Sequence, residues 1–267
     1  MAIFFDFVDD FVDCGTAAGI DNLTSMTVSA WVNYTSNSAA GKYPVVISKV
    51  LAAGNVGWYF YFDGDTANDN LTFYRSCTGN DLFRTVSTVI SKGAWNHILV
   101  THDGSLTATN IHIYLNGVEV SYATAQDGTI AFNDESLGNL YIGNNDALTG
   151  TDCFKGYIQE VSLWNVVLEL SEIKTIAQSR LIGIPLNIKR SSLVGYWPME
   201  DGVPGSSAHG ATVRDASGNG NTGTGDDGVN NTGMIWAEQT AISYVKERKN
   251  LFPMGTRIGS RQMQESF

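Results

Sequence analysis

The sequence has little charge, little proline and little cysteine. Only 16% of its 267 residues are charged, and 16 lysines and arginines stand against 27 acidic residues, for a formal net charge of −11. A surface that binds nucleic acid needs clustered basic side chains to contact phosphates, so this composition argues against nucleic acid as a partner. No apolar run reaches 18 residues. We therefore expect no membrane-spanning helix.

The cysteines and the N-terminal segment indicate the cellular compartment in which the protein is made. Cys14, Cys77 and Cys153 cannot all pair within one chain and have no Cys-x-x-Cys spacing, which predicts buried, reduced thiols. The N-terminal segment MAIFFDFVDDFVDCG has no basic region and carries several aspartates, so we do not expect a secretory signal peptide. These features favour a protein that is made and assembled inside a cell.

The residues that are abundant predict strands and turns. The chain has 28 glycines but only 5 prolines, and short apolar runs alternate with Thr-, Ser-, Asn- and Gly-rich segments. We count roughly ten to thirteen strands with turns every eight to twelve residues, a spacing typical of an all-β sandwich. The clearest segments outside the stretch Tyr141–Ile173 are Ile3–Asp13 with an internal turn, Met26–Tyr34, Val45–Val50, Gly57–Phe62, Leu71–Arg75, Trp95–Thr101, Ile111–Leu115, Val118–Val120, Leu193–Trp197 and Met234–Trp236.

One helix is predicted, over Leu168–Arg180. Ser171 can serve as its cap, and Glu172 in the first turn interacts favourably with the helix dipole. Its apolar residues recur at helical spacing, which predicts packing of one face on a sheet. These residues are Ile173, Ile176 and Ala177.

Several segments together resemble a known family. They are FDFVDDFVDCG at 5–15, MTVSAWV at 26–32, WNHILVTHDG at 95–104 with IYLNGVEV at 113–120, the stretch 141–173, and GYWPMEDG with DASGNGNTGT at 195–202 and 215–224. In this order they resemble laminin-G-like, concanavalin A-type jelly rolls, with pentraxin-like order and a loop similar to that of bacterial and viral members. Phe7 departs from the pattern, since the family usually has glycine there.

The resemblance implies a two-sheet antiparallel jelly-roll sandwich with one short α-helix. We expect residues 1–245 to form this domain and residues 246–267 to form an extended C-terminal arm. The arm carries five basic and two acidic residues, a net of +3 against −14 for the rest of the chain, and it also contains apolar side chains. This pattern predicts docking on a partner, although a solvated terminus is the alternative. The predicted docking residues are Arg248, Lys249, Leu251, Phe252, Arg257 and Arg261.

The resemblance also implies a structural calcium ion, since relatives often bind calcium through loop oxygen atoms. Three loops are candidates, and an Asx-rich turn that bonds its own backbone is the alternative for each. The loops contain Asp215, Asn219 and Asn221; Asn144, Asn145 and Asp146; and Asp63, Asp65 and Asp69. No other cofactor is expected.

Catalysis has little support in the sequence. Glycoside hydrolases of this fold need a pair of carboxylates, and the matching strand GYIQEVSLW offers Glu160 alone, with Ser162 in place of a second acid. Glu160 is therefore expected to be structural, and we predict no catalytic residue. Tyr59 and Tyr61 share one face of their strand and are the candidate residues for binding a glycan, unless that face is the core.

These observations favour a non-enzymatic structural or decoration protein of a phage or virus. Its body would be displayed on a capsid, tail or tail fibre, as a homo-oligomer that contacts other virion proteins and optionally adheres to glycans. Synthesis would take place in the host cytoplasm, with the virion surface as the final location. The alternative is a calcium-dependent carbohydrate-binding lectin or adhesin domain, which would be extracellular.

Overall fold

The structure, a computed structural model, describes residues 1–35, 42–51, 56–64, 70–87, 90–145, 152–179, 181–228 and 233–238. Within these residues the chain forms strands and one α-helix. The strands are β1 Ala2–Asp6, β2 Phe11–Asp13, β3 Met26–Tyr34, β4 Val45–Leu51, β5 Val56–Asp63, β6 Asn70–Arg75, β7 Leu82–Val86, β8 Asn96–His102, β9 Ile111–Leu115, β10 Val118–Glu119, β11 Tyr122–Gln126, β12 Asn139–Ile142, β13 Lys155–Trp164, β14 Leu193–Trp197, β15 Thr212–Val213, β16 Gly223–Asp226 and β17 Ile235–Ala237; the helix is α1 Leu170–Ser179.

Two antiparallel sheets make up the sandwich. The first sheet has the order β10-β9-β8-β3-β13-β1-β17, with β14 also paired to β13, and the second has the order β11-β7-β6-β5-β4-β12-β2-β16-β15. Consecutive strands often lie in different sheets, as β1 and β2 do, which is the connectivity of a jelly roll. The predicted all-β jelly-roll sandwich is confirmed.

The strand predictions are largely confirmed, with boundary shifts of one or two residues. Met26–Tyr34, Ile111–Leu115 and Leu193–Trp197 are strands with the predicted bounds. The sequence analysis missed β7, β11, β15 and β16, which are short or contain glycine and threonine instead of an apolar run. Periodicity is weak over such short segments, so their pairing with longer neighbours decides their conformation.

The predicted turns are present. At the β9–β10 hairpin, Asn116 and Gly117 both have positive φ, 52° and 81°, as a two-residue turn between twisted strands requires. The turn after β1 begins at Phe7, whose φ is 78°. That conformation normally favours glycine, which explains why glycine is the usual residue at this position in the family that the sequence resembles.

Helix α1 begins at Leu170, and the cap differs from the predicted one. Ser171 lies inside the first turn. Glu169 precedes the helix, and its backbone N–H donates to the Glu172 carboxylate at 2.8 Å. Glu172 thus satisfies a backbone donor that the helix leaves unpaired. The predicted stripe is buried against the outer face of the first sheet, where it packs with Leu99, Trp164 and Tyr196.

One apolar cluster fills the space between the sheets. Its largest fully buried members are aromatic: Tyr34, Phe5, Trp58, Phe60, Phe62, Phe73, Phe154, Trp197 and Trp236. The three cysteines are buried and unpaired, as predicted. Among the residues that the structure describes, no helix is long and apolar enough to cross a membrane.

Gly156 provides a test of this packing. It is the second residue of the long strand β13 and has a φ of +134°, and a Cβ atom there would overlap the backbone carbonyl oxygen of Asn33 on the adjacent strand. We expect Gly156→Ala to lower the free energy of unfolding by about 2–3 kcal/mol, because both the clash and the backbone conformation oppose a side chain. Chemical denaturation measures the effect.

The matched control is Gly19→Ala. Gly19 has no positive φ, and no atom lies within 4 Å of the position of an added Cβ. This control is expected to change stability by less than about 0.5 kcal/mol. Equal denaturation midpoints for the two variants would contradict the proposed role of Gly156.

Candidate functional site

The outer face of the second sheet is aromatic. Side chains alternate along β5, so that Trp58 and Phe60 enter the core between the sheets while Tyr59 and Tyr61 point to the other side. The two tyrosines share one face, as predicted, and that face is not the main core. They belong to a separate cluster with Phe11, Val45, Val50, Tyr74 and Tyr141.

Strand register extends this aromatic surface across the sheet. Phe83 on β7 pairs with Tyr74 on β6, and Tyr74 pairs with Tyr59 on β5. Ser48 on β4 lies between Tyr59 and Tyr141 of β12. We call this surface the tyrosine face; its rings are Phe11, Tyr43, Tyr59, Tyr61, Tyr74, Phe83 and Tyr141.

The rings of the tyrosine face pack edge to face or tilted. The Tyr59 ring centroid is 5.6 Å from that of Tyr74 and 6.4 Å from that of Tyr61. Tyr59 and Tyr141 are 8% and 9% exposed, whereas Tyr61, Tyr74 and Phe83 are half-buried. Contacts between neighbouring rings therefore fix the shape of this surface, and its outer rings remain accessible to a ligand.

Polar groups accompany these rings. Burial, together with a hydrogen bond to Asp81, raises the pKa of the Tyr74 hydroxyl, which therefore stays protonated as a donor. Two residues before Tyr74 on β6, the Thr72 hydroxyl donates to the Thr85 hydroxyl of β7 at 2.9 Å. Aromatic faces flanked by hydroxyl donors and acceptors suit a ligand that is apolar on one side and hydroxylated at its edge.

Backbone N–H groups occupy both carboxylate oxygens of Asp215. One carboxylate oxygen of Asp215 accepts the N–H groups of Tyr196 and Ser217 at 3.0 and 2.8 Å, and the other accepts the N–H of Asn221 at 3.0 Å. The Asn219 and Asn221 amides donate to carbonyl oxygens of β14. This geometry favours the Asx-turn alternative, and calcium at this loop stays a prediction.

The other predicted calcium loops are only partly described. Asn144 is fully buried, and its side-chain oxygen accepts the N–H of Asn145 at 2.9 Å. Asn145 in turn donates to Asp152 at 2.7 Å. Asp63 ends β5, opposite Asn70. Asp146, Asp65 and Asp69 lie outside the described residues.

Glu160 is buried and hydrogen-bonded within the protein. It is 3% exposed, and both of its carboxylate oxygens lie 2.7 Å from the Tyr196 hydroxyl, with the Gly183 N–H at 3.4 Å from one of them. Burial raises the pKa of Glu160 to about 8. The carboxyl is enclosed between the first sheet and the segment after α1, so it does not face a surface where a glycan could lie.

The structure adds site residues that the sequence analysis missed. Tyr74, Phe83 and Tyr141 join the two predicted tyrosines only through strand register, which periodicity within one strand cannot reveal. A pocket of about 380 Å³ lies elsewhere, beside Arg75 and Phe132, where the Arg75 guanidinium stacks on the Phe132 ring at 3.9 Å. The predicted docking residues of the arm, between 246 and 267, lie outside the described residues.

Comparisons with known proteins agree with this architecture. A family model described as the concanavalin A-like lectin/glucanases superfamily matches residues 9–174. Pappalysin-1 of Mus musculus is 30% identical over 132 residues, which cover 44% of this chain and 8% of that protein. The chain therefore spans less than a tenth of the length of this curated relative.

Solved structures are similar at low sequence identity. A candidate carbohydrate-binding protein from Bacteroides ovatus is 18% identical, with a TM-score of 0.57; the match covers 91% of this chain and 61% of that one. A heptameric pentraxin from Limulus polyphemus is 12% identical, with a TM-score of 0.47; that match covers 66% of this chain and 81% of the pentraxin. At such identities the first likeness shows the fold alone.

Proposed function

This chain belongs to the concanavalin A-like lectin/glucanases superfamily, and from that premise we propose that it is a non-enzymatic carbohydrate-binding module whose ligand lies on the tyrosine face. The observation that carries the proposal is the aromatic row built by register from Phe83, Tyr74 and Tyr59 on β7, β6 and β5, with Tyr141 of β12 beyond Ser48 of β4. The Bacteroides protein of similar fold, itself described as a candidate carbohydrate-binding protein, is in line with it.

The chemistry of a sugar explains why such a row would bind it. One side of a pyranose ring presents C–H groups, which pack on an aromatic face, while its hydroxyls need hydrogen-bonding partners at the edge. The tyrosine face supplies rings held by their neighbours, so little conformational entropy is lost on binding. Tyr61 and Tyr74 are the best placed, because each is half-buried and in contact with Tyr59.

Truncation of one ring tests the proposal. A glycan array, run with calcium and with a chelator, first identifies a bound glycan. We then expect Tyr74→Ala to weaken binding of that glycan at least about tenfold, since loss of a central aromatic contact typically costs 2 kcal/mol or more. Tyr74→Phe retains the ring and should bind within a few-fold of the wild type, as measured by titration calorimetry.

The matched control is Tyr157→Ala. Tyr157 is also a half-buried tyrosine on the outer face of a strand, but it lies on the first sheet, beside Phe4. Its loss should leave glycan affinity unchanged. Absence of binding to the array in both conditions, or equal weakening by Tyr74→Ala and Tyr157→Ala, would refute the assignment to the tyrosine face.

Display on a virion is a separate hypothesis that this function does not require. It depends on the charge and apolar content of residues 246–267, which lie outside the described residues. A truncated chain that ends at residue 245 and still enters particles at the wild-type level would contradict it. Calcium dependence of glycan binding likewise stays a prediction, and the chelator arm of the array addresses it.

A further inference from the structure

The pocket beside the last residue of β6 is separate from the tyrosine face. Side chains alternate along a strand, so Arg75 points away from Tyr74, and it pairs with Trp58 of the core between the sheets. We call this pocket of about 380 Å³ the Arg75 pocket. It is lined by Asn22, Thr24, Arg75, Phe132, Asn133 and Asp134.

The Arg75 guanidinium is buried and its orientation is fixed. Arg75 is 3% exposed, and its guanidinium lies 3.9 Å from the centre of the Phe132 ring. The Phe132 ring in turn packs edge to face with the His102 ring at 5.6 Å. Arg75 Nη1 also donates to the Thr24 carbonyl oxygen at 3.3 Å. Little conformational entropy is therefore lost when a ligand binds to this group.

The hydrogen-bonding capacity of Arg75 is largely unused within the protein. A guanidinium has five N–H donors, and the bond to Thr24 is the one that its guanidinium makes among the described residues. No carboxylate in the described part of the chain forms an ion pair with Arg75. The charge of Glu135 acts on it from farther away and raises its pKa, whereas burial, the larger effect, lowers that pKa.

A buried charge is costly unless a partner of opposite charge bonds to it. The guanidinium stays protonated at any physiological pH, so the partner that suits it is an anion. A carboxylate matches its planar fork and accepts two parallel N–H groups at once. The Arg75 pocket therefore favours a ligand that carries a carboxylate.

Asp134 limits the charge of that ligand. Hydrogen bonds from the side chains of Asn22 and Ser136 lower the pKa of Asp134 to about 2, so this exposed carboxyl is ionised near neutral pH. Its negative charge repels a dianion such as phosphate more strongly than a singly charged carboxylate. The pocket thus selects a monoanion.

The other lining groups suit the hydroxyls of a ligand. The side-chain oxygen of Asn133 accepts the Thr78 hydroxyl at 3.2 Å, and its NH₂ group makes no hydrogen bond among the described residues. Asn22 and Thr24 add an amide and a hydroxyl. A volume of about 380 Å³ lies near the lower end of the range for ligand pockets, which fits a single sugar ring.

We propose that the Arg75 pocket binds an acidic monosaccharide, a uronic acid, whose carboxylate lies against the Arg75 guanidinium. The side chains of Asn22, Thr24 and Asn133 would bind its hydroxyls. The ligand is either the free sugar or the terminal residue of a glycan chain, since both present the same carboxylate. This second site does not depend on binding of a glycan at the tyrosine face.

Titration calorimetry of the full chain with glucuronate and galacturonate tests the site. We expect at least one of them to bind at least about tenfold more tightly than glucose or galactose, its neutral parent, because the parent lacks the charge-assisted bonds to Arg75. Cyclohexanecarboxylate, which has the charge and the ring without hydroxyls, should bind more weakly than the uronate. The methyl glycoside of the uronate identifies the source: its binding supports a terminal residue, and binding of the free acid alone supports the free sugar.

Arg75→Lys tests the role of the guanidinium. Lysine keeps the charge but cannot bond to both carboxylate oxygens in a fixed plane, so affinity for the uronate should fall at least about tenfold. The matched control is Arg84→Lys. The Arg84 guanidinium also lies over an aromatic ring, that of Tyr122 at 3.2 Å, and donates to the Thr109 carbonyl oxygen at 3.0 Å. This control should bind the uronate like the wild type.

Two further variants keep the test decisive if Arg75→Lys does not fold. Asp134→Asn removes the negative charge from the pocket and should strengthen binding of the uronate at least about twofold. Tyr74→Ala should leave this binding unchanged, which separates the Arg75 pocket from the tyrosine face. Equal affinity for the uronates and their neutral parents, tighter binding of inorganic phosphate than of the uronate, or weaker uronate binding by Asp134→Asn would overturn the proposal.

Discussion

Replacing Lys49 by methionine is expected to lower the free energy of unfolding by about 3–5 kcal/mol. Lys49 lies on β4 and is 0% exposed, although lysine is rarely buried without partners. Its ammonium group is 2.8 Å from Asp21 Oδ1 and donates to the Gly138 carbonyl oxygen at 2.7 Å. Methionine preserves the volume of the side chain, but it removes the donor to the Gly138 carbonyl oxygen and the positive charge beside Asp21, whose side chain is only 19% exposed.

A second buried carboxylate, that of Glu135, adds to the loss of stability expected for Lys49→Met. Glu135 is 0% exposed, and the positive charges that act on its carboxylate are those of Arg75 and Lys49. Loss of Lys49 leaves Arg75 as the remaining positive charge that acts on Glu135. The double variant Lys49→Met/Glu135→Gln should therefore be more stable than the sum of the single effects predicts, by at least about 0.5 kcal/mol.

Lys189→Met is the matched control for Lys49→Met. The Lys189 ammonium group is 3.1 Å from Glu172 but 31% exposed, and ion pairs near the surface contribute about 0–1 kcal/mol. Urea denaturation of Lys49→Met, Glu135→Gln, the double variant and Lys189→Met measures the effects. A loss below about 1 kcal/mol for Lys49→Met would mean that water reaches the buried charges and that the ion pair is not a structural element.

The fold could be predicted from the sequence because its strongest signals are local. Alternation in Met26–Tyr34 and the Asn116–Gly117 turn depend on residues close together in the chain, and both agree with the structure. The order of such segments along the chain was enough to indicate the jelly roll. Short strands such as β15 and β16 could not be predicted, since β16 depends on pairing with β2 and β15 on pairing with β16.

The sites were less predictable because they depend on register between distant strands. Tyr59 and Tyr61 could be identified as a pair. Tyr74 reaches the same face only through the pairing of β6 with β5, and Tyr141 only through the pairing of β5, β4 and β12. Lys49 lies in a run of valines and isoleucines, and its partners come from two separate loops.

Glu160 links the free energy of unfolding to pH. Its φ of +55° and the shift of register between Gln159 and Ser162 mark an irregularity in β13, which turns the carboxyl toward Tyr196 and Gly183 instead of solvent. Burial is the main reason that its pKa is about 8, above the ordinary value of 4.5, and the charge of Glu200 adds to the effect. The folded protein therefore retains a proton that the unfolded chain releases.

The sign of the pH dependence follows from this difference. A raised pKa in the folded state means that stability is greatest below the unfolded value of 4.5 and falls as the pH rises toward about 8. For Glu160 the full difference is on the order of 3–5 kcal/mol. Glu160→Gln is neutral at every pH and still hydrogen-bonds to Tyr196, so it should remove this contribution and be more stable than the wild type at about pH 8.

Denaturation of the wild type and of Glu160→Gln between about pH 4.5 and about pH 8 isolates the contribution of this residue. Other buried acids also titrate in this range, Asp10 among them, but their share is common to both proteins and cancels in the difference. The control Glu169→Gln changes a 75% exposed carboxylate and should follow the wild-type curve. If Glu160→Gln keeps the wild-type slope, the Glu160 carboxyl is ionised in the folded state and Tyr196 with Gly183 suffices to stabilise its charge.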